Sequence, residues 1–343
     1  MTTYEELEGT ARALVAPGKG ILAADESTGT MAKRLRTVGV ESELGARNAF
    51  RELLVAAPDA GDAISGMILY DETFRSRTHA GVPFPEAVVQ AGIIPGIKVD
   101  TGAKPLAGTR GEKVTEGLDG LRERLGEYRM LGARFAKWRA VIAIGTNLPS
   151  SRCVTANAHA LARYAALCQE QGLVPIVEPE VLMDGHHTLE RCERVTEELL
   201  LRVYAELDEQ QVRVEATLLK PNMVLPGAGR PEPAGPDEVA ESTVRCLRRS
   251  VPAEVPGIVF LSGGQDDRVA TERLDAINRL GPQPWELSFS FGRALQASAL
   301  AAWRGKPANR EAAEGAFIHR ARCTAAARRG EYSPALERKA VVA

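Results

Sequence analysis

Residues 212–224 read VRVEATLLKPNMV, and how this stretch is parsed decides the fold. Val212, Val214, Ala216 and Leu218 alternate with Arg213, Glu215, Thr217 and Leu219, a two-residue period that predicts a β-strand. Lys220 falls in the apolar parity, so the pleat turns it toward the core. Pro221 has no N–H and ends the ladder. A lysine aimed inward at the exit of a buried strand is costly as an ammonium. Burial lowers its pKa and frees the lone pair that an amine nucleophile needs. Taken alone, the residue is explained as well by snorkelling into solvent, so the other strand ends must decide.

Seven further apolar runs flank this one, at 20–24, 63–70, 92–99, 133–144, 173–177, 257–261 and 285–289. Pro95 and Gly96 predict a bulge in the third strand. Amphipathic helices are expected at 4–16, 31–38, 46–57, 114–131, 154–171, 187–207, 238–250, 268–280, 294–303 and 309–329. Residues 104–113 and 226–237 read as loops, and 330–343 as a short mobile tail. Strands that are continuous apolar runs belong to parallel sheets covered on both faces. Eight of them alternating with helices predict an α/β chain closed as a single (β/α)8 TIM barrel, with N-terminal and C-terminal helical additions. The length of 343 residues, without repeat or linker, fits one domain spanning 1–343.

Composition narrows the class. Lys and Arg total 43 against 45 Asp and Glu, and basic residues do not cluster, which argues against nucleic-acid or membrane partners. The first twenty residues lack an apolar core, so no signal peptide is expected, and no run reaches the roughly 20 apolar residues of a membrane span. The 5 cysteines are odd in number without CxxC spacing, which fits reduced thiols in a cytoplasmic protein. His186-His187 reads as a polar turn, because adjacent histidines diverge and no third ligand is suitably spaced. His79, His159 and His319 are isolated, and no metal site is expected.

In a closed barrel the strand ends share one mouth. That would gather Asp25, Lys98, Lys137, Glu178, Lys220, Ser262 and Arg293. Each alone has a bland reading as a helix cap, a solvated charge or a turn. Surface charge has no reason to choose all of these positions together. Lys137 would repel a proton from Lys220. Glu178, its pKa raised by the apolar strand it ends, would shuttle protons between carbinolamine and iminium. Asp25 can take the proton of a hydroxyl at the carbon that departs. Ser262-Gly263-Gly264 and Gly292-Arg293 offer backbone N–H groups and a guanidinium to phosphate, on the two strands where barrels usually bind it.

The sequence resembles the class I, Schiff-base fructose-1,6-bisphosphate aldolases. The resemblance is carried by APGKGILAADEST at 16–28, GIKVDTG at 96–102, FAKWR at 135–139, VPIVEPE at 174–180, TLLKPNMV at 217–224, FLSGGQ at 260–265 and FGRALQASAL at 291–300. It implies that Lys220 forms the Schiff base, that Glu178 is the main acid/base with Lys137 and Glu180 beside it, and that Asp25 handles the carbon-4 hydroxyl. It also implies one phosphate site from Ser262, Gly263, Gly264, Ser290, Gly292 and Arg293. Ser27, Arg34 and Lys98 would serve the other end, with Arg139 among the substrate-binding groups. A cofactor-free, metal-independent homotetramer acting in glycolysis and gluconeogenesis is the expectation. Two departures stand out. No tyrosine follows Tyr332, where vertebrate members end in one, and Thr30 and Phe291 replace a common serine and tyrosine. Three other readings remain open: an aldolase for another phosphorylated ketose, a silent barrel kept as a scaffold, and a pyridoxal-phosphate enzyme.

Overall fold

The computed structural model describes residues 4–338. Eight parallel strands close into a barrel: β1 (Gly20–Ala24), β2 (Ile64–Leu69), β3 (Ile94–Lys98), β4 (Phe135–Ile142), β5 (Val174–Val181), β6 (Leu218–Leu219), β7 (Gly257–Phe260) and β8 (Glu286–Phe291). Each pairs with its neighbour in sequence, and β8 returns to β1. Helices surround the barrel, as in other (β/α)8 folds.

Inside the barrel the side chains fall into two zones. Ile21, Ala23, Ile68, Phe135, Val174, Ile176, Leu218 and Val259 form one apolar cluster with Leu7, Ala11 and Leu14. The last three belong to the helix Tyr4–Leu14, which plugs the N-terminal end of the barrel. Side chains two apart on a strand share a face. Ala23 is therefore followed on the interior face by Asp25, Phe135 by Lys137, Ile176 by Glu178 and Leu218 by Lys220. The same pleat that builds the plug delivers the charges to the mouth.

The stretch at 212–219 departs from the expected strand. Val214–Ala216 is a 3-10 turn, and only Leu218–Leu219 joins the sheet. Gln169, at the end of the helix Ser151–Glu170, explains why. Its side chain donates to Arg213 O at 2.8 Å and Ala216 O at 3.3 Å and accepts from Arg213 N at 3.0 Å, taking up groups that a ladder would use. Lys220 keeps the inward parity because Leu218 does, and its N–H donates to Val177 O at 2.8 Å.

β3 has no bulge and pairs in regular register on both sides. A Cβ at Gly96 would fall 2.2 Å from the Phe135 ring, so the glycine makes room for the plug. β5 runs four residues past its expected end at Val177, which places Glu178 and Glu180 in the strand. The expected loop at 104–113 connects an antiparallel hairpin, Gly102–Pro105 with Lys113–Glu116, and the helix that follows is only Leu121–Met130. The helix Phe84–Gln90 was not anticipated.

Residues 330–338, expected to be loose, are tied down. Tyr332 N donates to Asp275 Oδ1 at 2.8 Å, and Glu337 pairs with the buried Arg320 at 2.7 Å. The rest of that tail, 339–343, lies outside the described residues. All five cysteines are buried and free. Among the described residues no helix is long and apolar enough to cross a membrane.

Candidate active site

Four charges, three of them buried and Asp25 partly so, form an alternating chain across the mouth. Lys220 Nζ lies 3.2 Å from Glu178 Oε1, Lys137 Nζ lies 3.0 Å from Glu178 Oε2, and Lys137 Nζ lies 2.7 Å from Asp25 Oδ2. Lys137, Glu178 and Lys220 are each only 3% exposed, so these groups must solvate one another. The chain carries two positive and two negative charges.

The balance sets the proton affinities. Burial alone would raise the Glu178 pKa, but Lys137, Lys220 and Arg139 together outweigh it and hold the carboxyl below its ordinary value. This corrects the expectation of a raised Glu178: the apolar strand is there, but three cations face the carboxylate. Asp25 is likewise pushed up by burial and then held well below the usual range by Lys137, Lys220 and Lys98. Burial disfavours the Lys137 ammonium, yet Asp25, Glu178 and Asp100 more than compensate and hold its pKa above the ordinary value. Lys137 is thus a fixed cation between two carboxylates.

Further pairs flank the chain. Lys98 Nζ donates to Asp100 Oδ1 at 2.6 Å, and Asp100 also accepts from the Gly102 N–H at 3.1 Å. Arg139 pairs with Glu180, and Arg34 with Glu26.

The β7 and β8 side is built differently. Gly263 and Gly264 have φ of +55° and +92°, a left-handed turn that favours glycine and exposes successive N–H groups. Gly292 caps the helix Arg293–Trp303, whose N-terminus is suited to an anion. Arg293 reaches back to the Gly264 carbonyl and has no carboxylate partner among the described residues. Ser290 Oγ is buried without a protein partner, an orphaned hydroxyl beside the same turn. Ser27 caps the helix Thr28–Arg36, accepting from Thr30 N at 3.4 Å. Arg34 Nη2 would stand 3.9 Å from a Cβ at Gly292, so the two sets of anion donors approach each other at the β8–β1 junction.

All fifteen residues singled out from the sequence line one cavity of about 1060 Å³. Several supporting groups were missed. Gln296 Nε2 donates to Ala23 O at 2.7 Å and Glu26 Oε1 at 2.9 Å. The fully buried Arg51 donates to Glu26 O and Thr73 Oγ1, both at 2.6 Å. Asn222 Oδ1 accepts from Val181 N at 2.9 Å, joining the exits of β5 and β6. A polar residue held inside a helical or strand pattern looks the same in sequence as one facing solvent. Only Asn222, two residues past Lys220, carried a usable hint. His186 and His187 sit in the turn before the helix Leu189–Glu209, and burial pushes the His187 pKa down.

Comparison with known proteins gives a consistent family. The model for "Fructose-bisphosphate aldolase class-I" matches residues 6–342. A probable fructose-bisphosphate aldolase class 1 of Xanthomonas campestris is 60% identical over 88% of this chain and 90% of its own. Fructose-bisphosphate aldolase C of Pan troglodytes is 52% identical over 96% and 91%. The solved fructose-bisphosphate aldolase of Plasmodium falciparum, in complex with TRAP and a small-molecule inhibitor, superposes with a TM-score of 0.95 at 48% identity, covering 96% of each chain.

Proposed function

The chain belongs to the class I fructose-bisphosphate aldolase family, and from that membership we propose the roles its residues play in the reversible cleavage of fructose-1,6-bisphosphate. The products are dihydroxyacetone phosphate and glyceraldehyde-3-phosphate. The observation that carries the assignment is the chain Lys220–Glu178–Lys137–Asp25 at one barrel mouth.

Lys220 attacks the substrate ketone as the free amine. Glu178 Oε1, 3.2 Å away, accepts the ammonium proton and later protonates the departing carbinolamine hydroxyl. The iminium then accepts the electrons of the breaking carbon–carbon bond. Asp25, a carboxylate anchored by Lys137, takes the proton of the carbon-4 hydroxyl as that carbon leaves as an aldehyde. Lys137 keeps both carboxylates ionised and in place. Glu180 orients Arg139 toward the substrate. Ser262, Gly263, Gly264, Ser290, Gly292 and Arg293 hold one phosphate, and Ser27, Arg34 and Lys98 serve the other.

No metal or organic cofactor takes part in these steps. We further place the protein in the cytoplasm as a homotetramer, the usual state of the family. Relatives named cytosolic in Arabidopsis thaliana support the location.

Steady-state cleavage tests the substrate. Fructose-1,6-bisphosphate should react with a kcat/KM about ten-fold or more above that of fructose-1-phosphate, since a second phosphate adds charge-assisted hydrogen bonds. A chelator should leave the rate unchanged. Equal values would point to another phosphorylated ketose, and a folded protein without cleavage would point to the scaffold reading.

A further inference from the structure

Outside the barrel cavity, the helix Arg310–Arg328 carries His319 and Cys323 one turn apart on the same face. The turn Leu336–Arg338 brings Glu337 against them. His319 Nε2 lies 3.8 Å from Cys323 Sγ and 3.8 Å from Glu337 Oε2, and all three donor atoms lie within 4.8 Å of one another. Tetrahedral zinc, with bonds of about 2.0–2.3 Å, separates its donors by about 3.4–3.6 Å. Two edges of the triangle are already close to that spacing, and a small swing of the carboxylate closes the third.

We propose that His319, Cys323 and Glu337 form a binding site for a thiophilic divalent cation of the zinc class, which fastens the C-terminal segment to this helix. The donor set of imidazole, thiol and carboxylate suits zinc rather than calcium or magnesium. The carboxylate is already oriented as ligating carboxylates are, by partners on its other oxygen. Glu337 Oε1 accepts from Tyr332 Oη at 2.8 Å and sits 2.7 Å from Arg320 Nη2. Oε2 faces His319, although it also accepts from Arg320 Nη1.

The site also has opposing charges. Arg320 Nη1 lies 3.0 Å from Oε2, and Arg268 Nε lies 3.7 Å from it. Binding therefore shifts Arg320 onto Oε1 alone. Cys323 loses its proton to solvent and contributes a thiolate, so the ion meets two anionic ligands. The His319 side chain is 25% exposed, which leaves the fourth position within reach of water. The sequence hid this trio because its third member comes from a separate turn at the end of the chain.

Cobalt(II) is the probe, added to the intact chain after treatment with a chelator. One Co²⁺ per chain should bind, with a sulfur-to-cobalt charge-transfer band and visible bands of tetrahedral intensity. Cys323→Ser should abolish the charge-transfer band, although four other thiols remain. His319→Gln and Glu337→Gln should each weaken binding by about ten-fold or more. Cys323→Ser and His319→Gln should retain the wild-type cleavage rate and melting temperature without metal, which separates loss of a ligand from loss of fold. Glu337→Gln also breaks the buried Arg320 pair, so its melting temperature should fall and its Co²⁺ affinity is read where it is folded. No charge-transfer band in excess Co²⁺, a full-strength band in Cys323→Ser, or undiminished affinity in His319→Gln would overturn the proposal.

Discussion

At the ends of β1, β4, β5 and β6 the barrel mouth is lined with charges that neutralise one another, whereas on β7 and β8 it is lined with donors that have few protein partners. The first region holds Lys137 between Asp25 and Glu178, with Lys220 on the far side of Glu178. The second offers an orphaned Ser290 hydroxyl, a glycine turn and an Arg293 without a carboxylate. Reactive groups in a dry pocket must be kept ionised by their neighbours before any substrate arrives. Groups that bind an anion must instead be left uncompensated, or the substrate would have to displace a partner. The two regions should therefore fail differently when altered.

The sharpest contrast comes from Glu178→Gln. The amide keeps the shape but cannot move the proton, so kcat should fall about 10²–10⁴-fold with little change in KM. A change confined to KM would place Glu178 among the binding groups and erase the distinction. Next is Lys137→Met, which leaves Asp25 without its near cation. Chemical unfolding should report a loss of about 3–5 kcal/mol, the cost of breaking a buried pair from one side.

The pH dependence carries the same signature. Asp25 and Glu178 are held low, so their stabilisation is complete above roughly pH 4–5 and fades as pH falls through their lowered folded values. Lys137 is held high, so its contribution is complete below its unfolded value of about 10.4 and is lost only as pH rises through the folded one. The melting temperature should show this cluster intact from about pH 5 to pH 10. In Lys137→Met the acid limb should move to higher pH.

The cradle should respond in KM. Arg293→Ala removes a charge-assisted contact worth about 1.5–3 kcal/mol, so KM should rise about 10–100-fold with the unfolding midpoint unchanged. Ser290→Ala has the smallest effect. Because its buried hydroxyl has no protein partner, its removal should leave the fold as stable or slightly more so, while KM rises a few-fold, about 1 kcal/mol. Destabilisation without a KM change would show that the hydroxyl serves the fold and not an anion.

The barrel was legible because its strands are apolar runs whose periodicity needs no tertiary information. The charged mouth was legible because strand ends converge in a closed barrel, which turns scattered Asp25, Lys137, Glu178 and Lys220 into neighbours. What escaped has physical causes. Residues 212–217 alternate as a strand does, but the pattern also suits a turn anchored by Gln169, which lies 44 residues before Arg213 and 47 before Ala216, the groups it bonds. Gly96 reads as a bulge until the Phe135 ring beside it is known. Glu178 ends an apolar run, yet its pKa is set by three cations on neighbouring positions. Arg51 and Gln296 are buried polar groups whose satisfaction is visible only once their partners are in place.

Borohydride reduction in the presence of dihydroxyacetone phosphate, followed by mass mapping, tests the central claim most directly. A covalent adduct confined to Lys220, and absent when Lys220→Ala is treated in the same way, is the expected result. An adduct on Lys137 or Lys98 instead, or no adduct while cleavage continues and a chelator stops it, would contradict the assignment of the reacting amine.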